Sequence, residues 1–250
     1  MTTTVVHPVQ KYIFSIIESR KEVNFGPIGF GGGEVYTVHY KDLAAVVCDT
    51  DKNALNILKE GLTHQKVNET IMERFTGIPF RFGMIPRDEN DVKGFLTKYY
   101  VEFKKIFAKI EGKIETGLKA YLTERFIEEK LNEFRNSSQI RALNEKILRN
   151  PREAYQLKIE LGKLVADSIS REGERIAVEI YRTLSPLAVE TRENEVLAHR
   201  MILNAAFLVE KQREAEFDKN VDLVGKKFED RIQLKYVGPC PPYNFVVMEV

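Results

Sequence analysis

Between Lys113 and Val237 the spacing of apolar residues changes in the order strand, helices, strand, strand, helix, strand, and few folds accommodate that order. Lys113 to Leu122 alternates apolar and polar residues, with Ile114, Leu118, Ala120 and Leu122 as the apolar set, as a half-buried strand does. Helical spacing follows from about Thr123 to Phe134 and from Ser138 to Arg149. Asn150-Pro151 then supplies a cap and a proline at the first helical position, where its missing N–H is harmless. The helix it starts carries Leu157, Leu161, Leu164, Val165, Ile169, Ile176 and Ile180 and runs to about Leu184, with Pro186 as the stop. Leu187 to Glu190 reads as a short strand and Met201 to Val209 as a stronger one. Glu210 to Phe228 reads as a charged helix with Phe217, Val221 and Val224 inward, and Arg231 to Val237 as the closing strand. This is the β-α-β-β-α-β order of a ferredoxin-like sandwich.

The first half reads as a separate mixed α+β domain. Tyr12 to Ile17 and Leu43 to Cys48 are short apolar runs of buried-strand type, and Val35 to Tyr40 pairs with the second through a Lys41-Asp42 turn. A helix is expected from about Asn53 to Phe75, with Leu55, Leu58, Leu62, Ile71, Met72 and Phe75 recurring at steps of three or four and a more polar stretch between. Ile78 to Phe82 is short and extended, and Gly83 ends it. Asp88 has the position of an N-cap for a helix whose stripe is Val92, Phe95, Leu96, Tyr99, Phe103, Ile106 and Ile110. With a boundary at Glu111-Gly112, the chain is read as α+β with two domains, 1–111 and 112–250.

Composition narrows the function classes. The 38 basic and 37 acidic residues leave a net charge of +1, which provides no global field toward nucleic acid or an anionic membrane. No apolar run approaches the roughly 20 residues of a membrane-spanning helix. The opening residues, Met1 to Pro8, lack the pattern of a secretory peptide. Cys48 and Cys240 lie far apart with no CxxC, and reduced thiols in a cytoplasmic protein are the expectation.

The chemistry-bearing motifs fail one by one. The glycine stretch Gly26 to Gly33 lacks the Lys and Ser/Thr of a phosphate-binding loop, cannot be laid on GxGxxG and feeds a strand, so it reads as a turn whose glycines take positive φ. His7, His39, His64 and His199 form no metal-ligand spacing, and His64 has Glu60 one turn before it and Asn68 one turn after. There is no GxSxG, and neither cysteine has a neighbouring histidine. The carboxylates lie in mixed-charge helices, where pairing at four-residue spacing makes a solvated face. No catalytic, metal or cofactor residues are therefore assigned.

Two segments resist explanation by propensity. In Ile78-Pro79-Phe80-Arg81-Phe82-Gly83 an arginine stands between two phenylalanines. Extended geometry would turn both rings to one side and Arg81 to the other, toward a salt bridge or a partner. In Gly238-Pro239-Cys240-Pro241-Pro242-Tyr243-Asn244-Phe245 the prolines exclude helix and central strand. That tail reads as a rigid cover packing Tyr243 and Phe245 onto a sheet, or as a recognition peptide. Candidate interface residues are Pro79, Arg81, Phe82, Gly83, Pro239, Pro241, Pro242 and Tyr243.

These segments and their surroundings resemble the GvpF/GvpL family of gas vesicle proteins. Asp42 to Cys48 resembles a "DLAAVVS" strand, His64-Gln65-Lys66-Val67 a helical His followed by Val, and Ile78 to Met84 an "LPxRFGT" segment. Asn204 to Val209 resembles "NxAFLV", and Gly238 to Phe245 a "GPWPPYxF" ending. Cys240 stands where the family usually has Trp, and Met84 where it usually has Thr or a similar residue. The resemblance implies two α+β domains, the C-terminal one a modified ferredoxin-like sandwich with long helices. It also implies a non-catalytic accessory or minor structural protein of gas vesicle formation in the cytoplasm, whose partners are the hydrophobic major shell protein and other accessory proteins. Helix 88–110 and the N-terminal strands are expected to present the docking surfaces. The alternative is a small-ligand or nucleotide-binding regulatory module, since ferredoxin-like sandwiches host such functions. An RNA-binding sheet is disfavoured, because Met201 to Val209 offers only Phe207 as an aromatic.

Overall fold

The computed structural model describes residues 9–50, 57–149 and 154–246, so the expected cap at Asn150-Pro151 and Leu55 lie outside the described residues. These residues form two compact units. One runs to Glu115 and resumes at Pro239; the other spans Thr116–Gly238. The sequence reading places a single cut, at Glu111-Gly112. Contacts place one at Glu115 and a second after Gly238, because the tail bonds back to the first unit.

In the first unit β1 (Gln10–Glu18), β2 (Asn24–Gly26), β3 (Val35–Tyr40), β4 (Leu43–Thr50) and β5 (Gly77–Pro79) form one sheet ordered β2-β3-β4-β1-β5. Neighbours along it run antiparallel. Burial is continuous along residues 12–17 of β1, through Ser15, and along residues 43–48 of β4, because both strands are covered on both faces. Leu43, Ala45 and Val47 enter one core with Val92, Leu96, Phe103 and Phe107, while Ala44, Val46 and Cys48 enter the other with Val67, Ile71 and Phe30. In β1 a bulge sets the phase. Ile13 pairs with Val47 and Ser15 with Val46, so Phe14 is extra. Ile13 and Ile16, three apart, consequently share one core, and Phe14 and Ile17 share the other.

One face carries α1 (Ile57–Met72), the other α2 (Glu89–Lys98) and α3 (Tyr100–Ile110). Asp88 caps α2 as expected, accepting from the Asp91 amide at 2.9 Å. The single expected helix is two. Tyr99 leaves helical geometry (φ −105°, ψ 17°), while its amide still reaches Phe95 and its carbonyl Phe103, so the apolar spacing passes through the break unmarked.

The stripe expected for α1 is corrected more deeply. Leu58 and Leu62 are 88% and 72% exposed, and the buried residues are Glu60, His64, Val67, Asn68 and Ile71. Three of these five are polar, so apolar periodicity points to the wrong face.

The glycine stretch lays Phe30 into the second core, with Gly31 and Gly32 at φ +64° and +80°. Amides of Ile28, Gly29, Gly32 and Gly33 bond to carbonyls inside the loop, and so do not converge on a ligand.

The second unit is β6 (Lys113–Leu122), α4 (Glu124–Asn136), α5 (Ser138–Arg149), α6 (Ala154–Leu184), β7 (Glu190–Glu193), β8 (Met201–Glu210), α7 (Glu214–Lys227) and β9 (Ile232–Cys240). Its sheet order is β7-β8-β6-β9, the first and third strands central, which makes it a ferredoxin-like sandwich. The modification lies in the first crossover, where three helices replace one. Ile176, Ile180 and Leu184 of α6 and Phe217, Val221 and Val224 of α7 are its buried stripes. The strand expected at Leu187 to Glu190 is instead a 3₁₀ turn, Ser185–Leu187, followed by β7. Pairing starts only when the Val189 amide reaches the Leu208 carbonyl, and polar β7 offers no apolar signature. α7 likewise starts four residues later than expected, after a 3₁₀ turn at Lys211–Arg213. β9 continues to Cys240, and as an edge strand it tolerates Pro239. Among the described residues no helix is long and apolar enough to cross a membrane.

Two glycines test this packing in opposite directions. A Cβ on Gly29 would lie 2.8 Å from the Gly33 carbonyl oxygen and 3.1 Å from Cys48 Cβ, so Gly29→Ala should destabilise by about 1–3 kcal/mol. Gly94, in α2, has nothing within 4 Å of that position, and Gly94→Ala should stabilise by about 0.5–1 kcal/mol. Denaturant unfolding of the two variants checks both signs.

Candidate docking site

His64 is the residue around which both unexplained segments gather. It is 5% exposed, at the middle of the polar buried stripe of α1. Its Nε2 lies 3.0 Å from the Phe80 carbonyl oxygen, and its Nδ1 lies 2.8 Å from the Tyr12 hydroxyl. A carbonyl only accepts, so Nε2 carries the proton and Nδ1 accepts from Tyr12; the Asn68 amide nitrogen, 3.2 Å from Nε2, then does not donate to the ring. The Tyr12 oxygen in turn accepts the Gly83 amide at 3.2 Å. One neutral imidazole and one phenol thereby fasten the backbone at Phe80 and at Gly83. Asn68, a turn further on, donates to the His64 carbonyl at 3.1 Å.

Arg81 stands between the two fastened points. It is exposed, and among the described residues no carboxylate pairs with it. Pro79 is buried at the end of β5, and Gly83 is exposed with φ +110°, a value that disfavours other residues. The two phenylalanines do not share a side. Phe80 enters the core of α2 and α3, 5.6 Å from Phe95 and 6.3 Å from Phe103. Phe82 joins the opposite core, 5.9 Å from both Tyr12 and His64. The strand ends at Pro79, so the alternation assumed for an extended segment does not reach Phe82.

The tail closes over the same histidine. The Tyr243 ring lies 6.3 Å from that of His64. Asn244 fixes its course by donating to both oxygens of the buried Glu115 carboxylate, from its amide at 2.8 Å and its side chain at 2.5 Å. Lys109 donates to the Phe245 carbonyl at 3.3 Å, and Cys240 Sγ to that of Glu115 at 3.2 Å. Pro241 and Pro242 are buried, Tyr243 is half-buried and Pro239 is exposed. Among the candidate residues, Arg81, Gly83 and Pro239 are exposed, Phe82 and Tyr243 half-buried, and Pro79, Pro241 and Pro242 buried. Sequence reasoning weighed His64 and Asn68 only as metal ligands and did not single out Tyr12 or Glu115 as part of a site. The four-residue spacing of Glu60, His64 and Asn68 marks a polar inward face of α1, a meaning that the search for metal ligands does not draw from it.

The site is poor in reactive chemistry. Both His64 nitrogens are occupied, and burial pushes the Cys48 and Cys240 thiols up to about 11 and about 12. Burial also raises the Tyr12 and Tyr243 phenols well above their ordinary value. Among the described residues no three His, Cys, Asp or Glu side chains gather as metal ligands.

Burial lowers the His64 pKa, outweighing the opposite effect of the Phe80 carbonyl. The unfolded chain then takes up protons first as pH falls. The stability contribution is complete above about pH 6.5 and is lost as pH drops toward the folded pKa. His64→Gln should cost roughly 1–3 kcal/mol at neutral pH and flatten the acid side of the stability profile. Denaturant midpoints measured from about pH 7.5 to about pH 5.5 check this, and parallel profiles for the two proteins would contradict it.

Known proteins share this architecture. The family model described as gas vesicle synthesis protein GvpL/GvpF matches residues 10–247. Gas vesicle protein F of Microcystis aeruginosa is 28% identical over 195 residues, covering 74% of this chain and 75% of its own. Gas vesicle protein F1 of Halobacterium salinarum is 27% identical over 251 residues, covering 96% and 93%. The crystal structure of GvpF from Anabaena aligns with a TM-score of 0.81 at 25% identity, covering 97% of this chain and 100% of that one. The resemblance seen in the motifs and the fold it implies both hold, and the chain belongs to the GvpL/GvpF family of gas vesicle synthesis proteins, with a gas-vesicle-related role.

Proposed function

We propose that this chain is a non-catalytic accessory or minor structural protein of gas vesicle formation, acting in the cytoplasm and at the vesicle. In this reading it binds the hydrophobic major shell protein and other gas vesicle proteins during assembly. The observation that carries it is Arg81, an exposed guanidinium without a carboxylate partner among the described residues, on backbone fastened at both flanks. A side chain serving only the fold gains little from such support. One that must meet a partner gains from it, because a pre-set backbone leaves less freedom to lose on binding. The occupied amides of the glycine loop and the raised cysteine pKa values support a role without catalysis or nucleotide binding.

The docking face also needs apolar contact, since the partner is expected to be very apolar and must be kept from aggregating. Half-buried Phe82 beside Arg81 supplies apolar surface next to the charge. The proposal therefore centres on the Arg81–Gly83 segment, not on helix 88–110, whose apolar stripe is occupied by the sheet.

Arg81→Ala should weaken capture of the shell protein about tenfold or more, which is about 1.4 kcal/mol, while leaving unfolding unchanged. Undiminished capture by a folded variant would remove Arg81 from the interface.

A further inference from the structure

A second surface of the first unit carries uncompensated charge. Where β1 turns into β2, an open cleft of about 540 Å³ is lined by Arg20, Lys21, Glu22, Val23, Arg74 and Phe75, among others. Among the described residues, none of the three cations has an ion-pair partner. The two grooves along α6 differ in this respect. Two of their cations, Arg175 and Arg231, are already matched by Glu172.

Arg74 is also held in place. Its guanidinium carbon lies 5.4 Å from the Phe25 ring centre and 5.5 Å from that of Phe75, and these rings pack edge-on, 6.1 Å apart. Aromatic contact fixes a guanidinium and leaves the N–H groups at its edge free to donate. An arginine serving only the C-terminal carbonyls of α1 would be expected to bond them, and no such bond forms among the described residues.

The geometry points to a docking cleft for an acidic segment of a partner polypeptide, with carboxylates spaced along an extended chain. A phosphate site would gather backbone amides around one point. Here two of the cleft's amides are turned inward, Lys21 to Ser19 Oγ and Val23 to Thr37 Oγ1, which leaves no such cluster of amides at one point. The cleft's charged side chains are three cations against the single carboxylate of Glu22, and Val23 and Phe75 add apolar surface to the same lining.

Fluorescein-labelled hexaglutamate tests this by anisotropy at low ionic strength with the full chain, hexaglutamine being the uncharged control. Binding of hexaglutamate should exceed that of hexaglutamine by about tenfold or more. Arg74→Gln should remove most of that difference, and Lys93→Gln, on α2 outside the cleft, should leave it intact. The Arg20→Gln/Lys21→Gln double variant gives an independent reading where Arg74→Gln disturbs the fold. Equal hexaglutamate binding by wild type and both cleft variants would overturn the proposal. So would a single-stranded oligonucleotide that binds more tightly than hexaglutamate through the same residues, since that would make the cleft a nucleic-acid site.

Discussion

A neutral imidazole removed from water must satisfy two nitrogens, one as donor and one as acceptor, and His64 does so with groups far from it in sequence. The Phe80 carbonyl accepts from its Nε2–H, and the Tyr12 hydroxyl donates to its Nδ1. Leaving either unmet would cost on the order of 1–3 kcal/mol, so the histidine and the two groups constrain one another. Because Tyr12 also accepts from Gly83, the constraint passes into the backbone that carries Arg81. The tail adds a lid, with Tyr243 over the imidazole and Asn244 fixed on Glu115. What looked like two unrelated motifs are parts of one buried polar cluster.

That cluster depends on the doubly covered sheet beneath it. The extra residue at Phe14 shifts the phase of β1, so that Tyr12 and Ile17 share a face although they are five positions apart, an odd spacing. Phe14 also accepts the Phe80 amide through its carbonyl at 3.0 Å, so the bulge and the fastened segment meet at one residue. Without the bulge, Ile16 would turn toward the helix α1 face and Ile17 away from it. The placement of the phenol beneath His64 is thus tied to a backbone irregularity.

Much of the architecture was legible because it is written in apolar period. The strand and helix order of the second unit, the β3–β4 hairpin and the Asp88 cap all follow from local spacing and local chemistry. Where the reading failed, the burial was polar or the contact distant. The inward face of α1 carries Glu60, His64 and Asn68, so Leu58 and Leu62 were mistaken for core. Phe80 and Phe82 part company because the strand stops at Pro79. β7 is a polar edge strand and has no apolar alternation to read. The return of the tail to the first unit rests on Glu115 and Asn244, 129 residues apart, and no local pattern announces such a pair. The family motifs marked the right segments without saying that His64 joins them.

The tautomer of His64 is the most direct test of this arrangement. Nitrogen-15 NMR of the imidazole across a pH series distinguishes the two neutral tautomers and reports the onset of protonation. The account predicts the Nε2–H form, persisting as pH falls below about 6.5, with Nδ1 shifted by the hydrogen bond from Tyr12 and that shift lost in Tyr12→Phe. An Nδ1–H tautomer, or a ring that titrates freely at its ordinary pKa, would contradict it.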